Sequence, residues 1–331
     1  MGWEQAFKAP ENPEEDSMEK AITKAGLLKP PSLRAGDLVA FVSPSGPLRK
    51  KDRQSLEASL ELLKSWGLEP VSRKMGRAAL PFLAATDEER FLQMKWALSS
   101  PEIRAVFAVR GGYGAIRILP SLEPNWLRGD PKILMGFSDF TAVLLGLGLR
   151  ARVVGIHGPT LVSMGKGMAH QSDTSFLREL LMENKIPGPL EGETWRGGVG
   201  EGTLIGGCLS LVTALLGTRF FPDLRGAILF LEDVNEPLYR VDRMLQQLRL
   251  SGVLEMISGL ALGHFPEVPS FRRHLKELVL EATPHRIPIV ARLPFGHGER
   301  NLPLPVGCWA RCDGKEGILE IVEEPLARGL G

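Results

Sequence analysis

An alternation constrains this chain more than any other feature: short apolar runs are separated by longer stretches in which apolar residues recur at helical spacing. DLVAFVSP (37–44) reads as a strand, and RQSLEASLELLKSWG (53–67) as a helix with Leu56, Leu60 and Leu63 on one face. A helix from Asp87 through Leu98 follows, then strands in RAVFAVR and KILMGF, a helix in DFTAVLLGLG and a strand in RVVGIH. A strand reached through a helix returns parallel to its predecessor, and the helices then cover both faces of the sheet. The first half is therefore expected to be α/β with a mainly parallel sheet.

Between about Met164 and Gly202 the chain is richer in Gly, Pro and charge, with one helix near SFLRELLMEN. After it come GTLIGG, a helix in CLSLVTALLG, the strand GAILFLEDV, the helix YRVDRMLQQLRLSG and the strand SGLALGHF. VGCWARCDGKEGILEIVE reads as a hairpin turning at Asp313-Gly314. These shifts divide the chain into an extension (1–32), a first domain (33–165), a linker (166–202) and a mixed α/β second domain (203–331).

Composition excludes several classes. With 44% hydrophobic and 24% charged residues the chain is globular, and a net charge of +1 with scattered basic residues gives no footprint for nucleic acid. No apolar run reaches the roughly 20 residues of a membrane span, and the acidic first residues lack the pattern of a signal peptide. A cytoplasmic protein is expected. Cys208, Cys308 and Cys312 have no disulfide framework spacing, and the last two lack the other half of a zinc site. No metal or organic cofactor is expected.

Three places could carry chemistry. KILMGF-Ser138-Asp139-FTAVLLG sets a serine where a buried strand meets a helix, the geometry of a nucleophile elbow, although the full pair of usual flanking glycines is absent and either residue could simply cap the helix. GAILFL-Glu232-Asp233 ends an apolar strand in carboxylates at the edge where open α/β sheets assemble their sites. LPFG-His297-GERN holds a histidine between two glycines in a loop. Nucleophile, acid and base are then all present. Upstream, RAVFAVR-Gly111-Gly112-Tyr113-Gly114 puts a glycine turn after a strand, where main-chain N–H groups could serve an oxyanion or a phosphate. His157, in GIHGPT, also ends a strand. Neither dinucleotide nor P-loop spacing occurs, which weakens the phosphate reading, but a nucleotide-binding module stays open.

FLAATDEER, VFAVRGGYGA, ILMGFSDFT, GIHGPT, GTLIGGCLSLVTALLGT, RGAILFLEDVNEPLYRVDRMLQQL and LPFGHGERNLPLPVG follow one another in the order of the LD-carboxypeptidase family of serine peptidases, which the chain resembles from about Leu33 to Glu323. The resemblance implies a Rossmann-like N-terminal domain carrying the serine and a smaller C-terminal α/β domain carrying the acid and histidine. It implies a Ser138, Glu232, His297 triad, with an oxyanion hole from the main-chain N–H groups of Gly112 and Asp139. It also implies a homodimer and a murein peptide substrate cut before terminal D-alanine. Arg110, Gly111, Tyr113, His157 and Arg300 are candidate substrate contacts, the two arginines by position, as partners for the substrate carboxylate. Cys208 stands where the family pattern has asparagine. The family's microcin-immunity branch, which cleaves a peptidyl-nucleotide toxin, is the alternative, and Trp195 is the ring such a pocket could use.

Overall fold

The computed structural model describes residues 26–76, 80–166, 171–186, 188–265 and 269–328. Most of the expected extension therefore lies outside the described residues. Two sheets organise the rest. The first contains β1 (Leu38–Val42), β2 (Glu69–Val71), β3 (Ile103–Ala108), β4 (Ile133–Gly136), β5 (Gly155–His157) and, from far along the chain, β12 (Leu304–Val306). Their order is β12-β5-β4-β3-β1-β2, and all pairings are parallel except β12 on β5.

The second sheet has the order β6-β14-β13-β8-β9-β10-β11-β7. Its centre, β8 (Val199–Cys208), β9 (Ile228–Glu232), β10 (Gly259–Leu262) and β11 (Ile289–Ala291), is parallel. Antiparallel strands flank it: β7 (Glu193–Arg196) on one side, and β13 (Trp309–Asp313), β14 (Ile318–Ile321) and β6 (Leu190–Glu191) on the other. The expected hairpin is β13–β14, and Asp313 Oδ1 accepts from the N–H groups of Lys315 and Glu316 to shape its turn. The expected α/β class holds for both halves. The short strands β6, β7 and β12 were not legible because two to four residues carry no periodicity.

Among the described residues, five helices of three to four turns cover the sheets: α1 (Arg53–Ser65), α2 (Asp87–Ser99), α3 (Gln171–Glu183), α4 (Leu238–Leu250) and α5 (Pro269–Ala282). The sequence TDEE explains the start of α2. Thr86 Oγ1 accepts from the Glu89 N–H and the Glu89 carboxylate accepts from the Thr86 N–H, a reciprocal capping box. The helix expected in DFTAVLLGLG is less regular. It opens as a 3₁₀ turn over Ser138–Phe140, is α over Thr141–Val143 and widens to π geometry over Leu144–Leu149.

One hydrophobic core runs through both sheets, from Ala40 and Val42 to Leu319 and Ile321. Where the sheets meet, Thr141 Oγ1 accepts from the Cys208 N–H at 3.2 Å, and a Cβ on Gly207 would lie 2.5 Å from the Thr141 methyl. The helix behind Ser138 is thereby held against the end of β8.

β8 fits only because its glycines let other main chain approach. A Cβ on Gly202 would sit 1.8 Å from the Gly226 carbonyl oxygen, which no rotamer relieves. Gly202→Ala should cost about 2–4 kcal/mol by this backbone clash. Gly188→Ala, where nothing lies within 4 Å, should change stability by less than about 0.5 kcal/mol. Chemical unfolding of the two variants beside the parent checks the contrast; equal midpoints would contradict it.

Candidate active site

The carboxyl ends of the parallel strands carry the residues singled out above. β3 leads into Arg110-Gly111-Gly112-Tyr113-Gly114, β4 into Ser138, β5 ends in His157, β8 in Cys208 and β9 in Glu232, and the loop after β11 carries His297. Parallel strands bring these ends to one edge of each sheet, which is why positions far apart in sequence can meet.

Ser138 is half-buried and has a backbone φ of +59°, a left-handed conformation that a non-glycine residue adopts at a cost of order 1–2 kcal/mol. The strain belongs to a sharp strand-to-helix turn. Gly111 lies directly against it: a Cβ there would be 2.7 Å from Ser138 Oγ and 3.8 Å from the Asp139 nitrogen. Gly112, at φ +123°, in turn abuts Gly46, whose N–H donates to the Gly111 carbonyl at 3.3 Å. Glycine at both positions therefore permits the turn to touch the serine.

The Glu232 carboxylate is fully buried. Its Oε2 accepts from His297 Nδ1 at 2.5 Å and from the His297 main-chain N–H at 3.2 Å. With Nδ1 engaged this way, the ring leaves Nε2 for other work. Gly296 makes the contact possible, because a Cβ there would lie 2.6 Å from Glu232 Oε2. Asn301 Oδ1 accepts from the Gly296 N–H at 2.8 Å and so pins the loop. The Phe137 ring, on the residue preceding Ser138, packs on the His297 ring with centroids 4.6 Å apart.

The neighbouring acids bind main chain. Asp139 Oδ2 accepts from the Ala115 N–H at 2.8 Å, tying the glycine turn to the residue after the serine; burial pushes its pKa up, and these hydrogen bonds and Arg90 oppose that. Asp233 Oδ2 accepts from the Ser210 N–H at 2.8 Å and Oδ1 from the Val234 N–H at 2.7 Å. Cys208 pairs in register with Glu232, and its Sγ lies 3.2 Å from Ser210 Oγ. Burial, with Glu232 and Asp233 beside it, pushes this thiol's pKa well up.

His157 is wholly enclosed, with Phe230, Phe137 and Phe295 edge-on at 5.1, 6.0 and 6.3 Å. Burial pushes its pKa down to about 4, with Glu232 opposing and His297 adding to the shift. The ring, expected as a substrate contact, has no exposed surface in this structure.

The other expected contacts divide. Arg110 is half-buried and donates from Nη1 to the Pro47 carbonyl at 2.8 Å; burial first and Arg49 second lower its pKa. Tyr113 is exposed, edge-on to Phe82 at 5.7 Å. Arg300 is exposed, and its guanidinium grips Asp173 of α3 at 2.7 Å. Trp195 lies on β7, three strand spacings or about 14 Å from β9, with Lys276 over its ring. The sequence reading missed Arg90, Asn301 and Thr141. The spacing of TDEER marks a helix start, but nothing local says where a buried guanidinium will reach.

Comparison with known proteins agrees with this architecture. Residues 39–158 match the LD-carboxypeptidase N-terminal domain and residues 201–312 the LD-carboxypeptidase C-terminal domain. A murein tetrapeptide carboxypeptidase of Pseudomonas aeruginosa is 32% identical over 291 residues, covering 83% of this chain and 93% of that protein. The crystal structure of a muramoyltetrapeptide carboxypeptidase from Oxalobacter formigenes superposes with a TM-score of 0.76 at 33% identity, covering 87% and 99% of the two chains. The structure of the Escherichia coli microcin C7 self-immunity protein MccF with glutamyl sulfamoyl guanosine superposes with a TM-score of 0.82 at 25% identity, covering 91% and 100%.

The enclosure of His157 has a measurable consequence. Its ordinary pKa is near 6.5, so below that pH the unfolded chain takes up a proton that the folded protein refuses until about pH 4. This group therefore removes stability as pH falls from about 6.5 to about 4, by up to roughly 3 kcal/mol. Urea unfolding of His157→Phe and the parent at pH 7 and pH 4.5 should show a flatter pH dependence in the variant. Identical slopes would show that the ring is not held neutral.

Proposed function

The chain belongs to the LD-carboxypeptidase family and is a carboxypeptidase; we propose that it is a serine enzyme that removes terminal D-alanine from murein tetrapeptides. The reading assigns Ser138 as nucleophile, His297 as base and Glu232 as the group that orients the imidazole. The observation that carries it is the 2.5 Å bond between buried Glu232 and His297 Nδ1, with Phe137, the residue before Ser138, packed on the same imidazole.

His297 Nε2 takes the proton of Ser138 as Oγ attacks the scissile carbonyl, and Glu232 stabilises the imidazolium that forms. The N–H groups of Gly112 and Asp139 receive the oxyanion, each worth about 3 kcal/mol in comparable sites. The imidazolium returns its proton to the leaving amine of D-alanine. Water, activated by the same base, then hydrolyses the acyl-enzyme. No metal or cofactor enters the scheme. Arg110, half-buried and bonded to a carbonyl, is the candidate partner for the free carboxylate of the leaving residue.

A cytoplasmic location is proposed with this substrate, a peptide recovered from the wall. No helix among the described residues is long and apolar enough to cross a membrane. The likeness to MccF favours a second reading, an immunity-type peptidase acting on an aminoacyl or peptidyl nucleotide. Against it, Trp195 stands away from Glu232 and packs under Lys276.

Release of D-alanine from an L-D tetrapeptide, read by mass spectrometry, tests the assignment. Ser138→Ala should lower turnover by on the order of 10⁴-fold or more while leaving circular dichroism unchanged. The enzyme should spare the matching L-L peptide by on the order of a hundredfold, because an inverted leaving residue misplaces its carboxylate. Equal rates on both peptides would remove the murein assignment, and preferential cleavage of an aminoacyl sulfamoyl nucleotide would favour the second reading. A homodimer is proposed as well. Sedimentation equilibrium should return about twice the 36.3 kDa chain mass, and a single-chain mass would refute it.

A further inference from the structure

Arg90, on α2, is wholly buried and lies outside the proposed triad. A buried guanidinium is costly unless its donors are satisfied, so the groups it binds show what it is for. Nη2 meets Asp87, which also holds Arg117 through both carboxylate oxygens. Nη1 donates to two main-chain carbonyls: Pro44, in the loop after β1, and Gly114, at 2.8 Å, in the glycine turn after β3.

Those two loops meet each other, and the glycine turn in turn touches the serine. Two residues beyond Pro44, Gly46 donates its N–H to the Gly111 carbonyl and would crowd a side chain on Gly112, with a Cβ there at 3.1 Å. Two residues before Gly114, Gly112 carries the N–H assigned to the oxyanion. On the far side, Asp139 takes the N–H of Ala115. The peptide group joining Gly114 to Ala115 is thus gripped from both ends, its carbonyl by Arg90 and its N–H by Asp139. Gly114 is itself fitted to the grip, since a Cβ there would lie 2.8 Å from Arg90 Nη1.

We infer that Arg90 is a positioning residue for the oxyanion hole, holding the loop after β1 and the glycine turn in register so that the Gly112 N–H faces the carbonyl attacked by Ser138. The inference rests on the serine-peptidase reading. A lysine in its place offers a point charge on a flexible stem and cannot present the planar fork to Asp87 and both carbonyls together. The N–H would then be misplaced by a fraction of an ångström, which matters in the transition state and hardly at all in ground-state binding.

The experiment compares the full-length parent, Arg90→Lys, Asp87→Asn and Ser138→Ala. The measurements are kcat and KM on the tetrapeptide, Ki for a stem-peptide analogue with a boronic acid at the scissile position, and Ki for the tripeptide product. Arg90→Lys should lower kcat on the order of 10- to 100-fold and weaken the boronate by a similar factor, with KM and product affinity within about twofold. Asp87→Asn, which removes a partner but leaves the guanidinium, should lower both by roughly two- to fivefold and carries the test if the lysine variant does not fold. A folded variant with parental kcat, or a lower kcat with unchanged boronate affinity, would overturn the inference. A lower melting temperature with parental kcat would do the same, since that is what a purely structural arginine gives. A parent inactive on the peptide would sink the serine-peptidase reading itself, whereas an active parent with inactive Ser138→Ala isolates any failure to Arg90.

Discussion

The arrangement at the sheet edges depends on one carboxylate carried out of water at the end of a strand. Glu232 has no solvent exposure, and its named partners are the His297 ring and the His297 main chain. Burying an acid in this way is expensive unless a partner meets it at close range. That requirement dictates the loop around it: glycine at 296, because any side chain would strike the carboxylate, and Asn301 to hold the Gly296 N–H. The imidazole then has one orientation, with Phe137 against its face. An acid that costs stability at a strand end is tolerated because it specifies the geometry of a loop that has no periodic structure of its own.

A second theme is the division of labour among neighbouring acids. Asp139 and Asp233 each follow a residue of the candidate site, and each spends its carboxylate on main-chain N–H groups. Such bonds hold loops to strand ends more rigidly than long side chains do, because one partner has no rotamers to lose. The acids beside Ser138 and Glu232 therefore look alike in sequence but differ in task.

The parts of this molecule that are legible in sequence are those whose physics is local. The amphipathic spacing of Leu56, Leu60 and Leu63, the capping box at Thr86 and the apolar runs ending in Ser138 and Glu232 each announce themselves within a dozen residues. Gly111 and Gly296 are visible as glycines, but that each is shaped to a particular side chain depends on a partner 27 or 64 residues away. His157 carries the same lesson: at the end of a strand it reads as a site residue, and only three aromatic rings from distant segments reveal it as enclosed. Arg90 is the opposite case, a charge on a helix that reads as surface and is buried because two carbonyls from other loops receive it.

The return of β12 to the first sheet ties synthesis to assembly. Leu304–Val306 closes the free edge of β5, pairing Leu304 with His157, so the first sheet is incomplete until residue 306 has been made. On the ribosome, a chain released at residue 300 would present β5 as an unpaired edge with part of its hydrophobic core uncovered, the kind of surface that chaperones bind. The strand that seals that edge lies seven residues beyond His297, so sealing and delivery of the imidazole are nearly one event. A chain still short of β12 is therefore sticky before it can be active, and quality control can meet it before any peptide does.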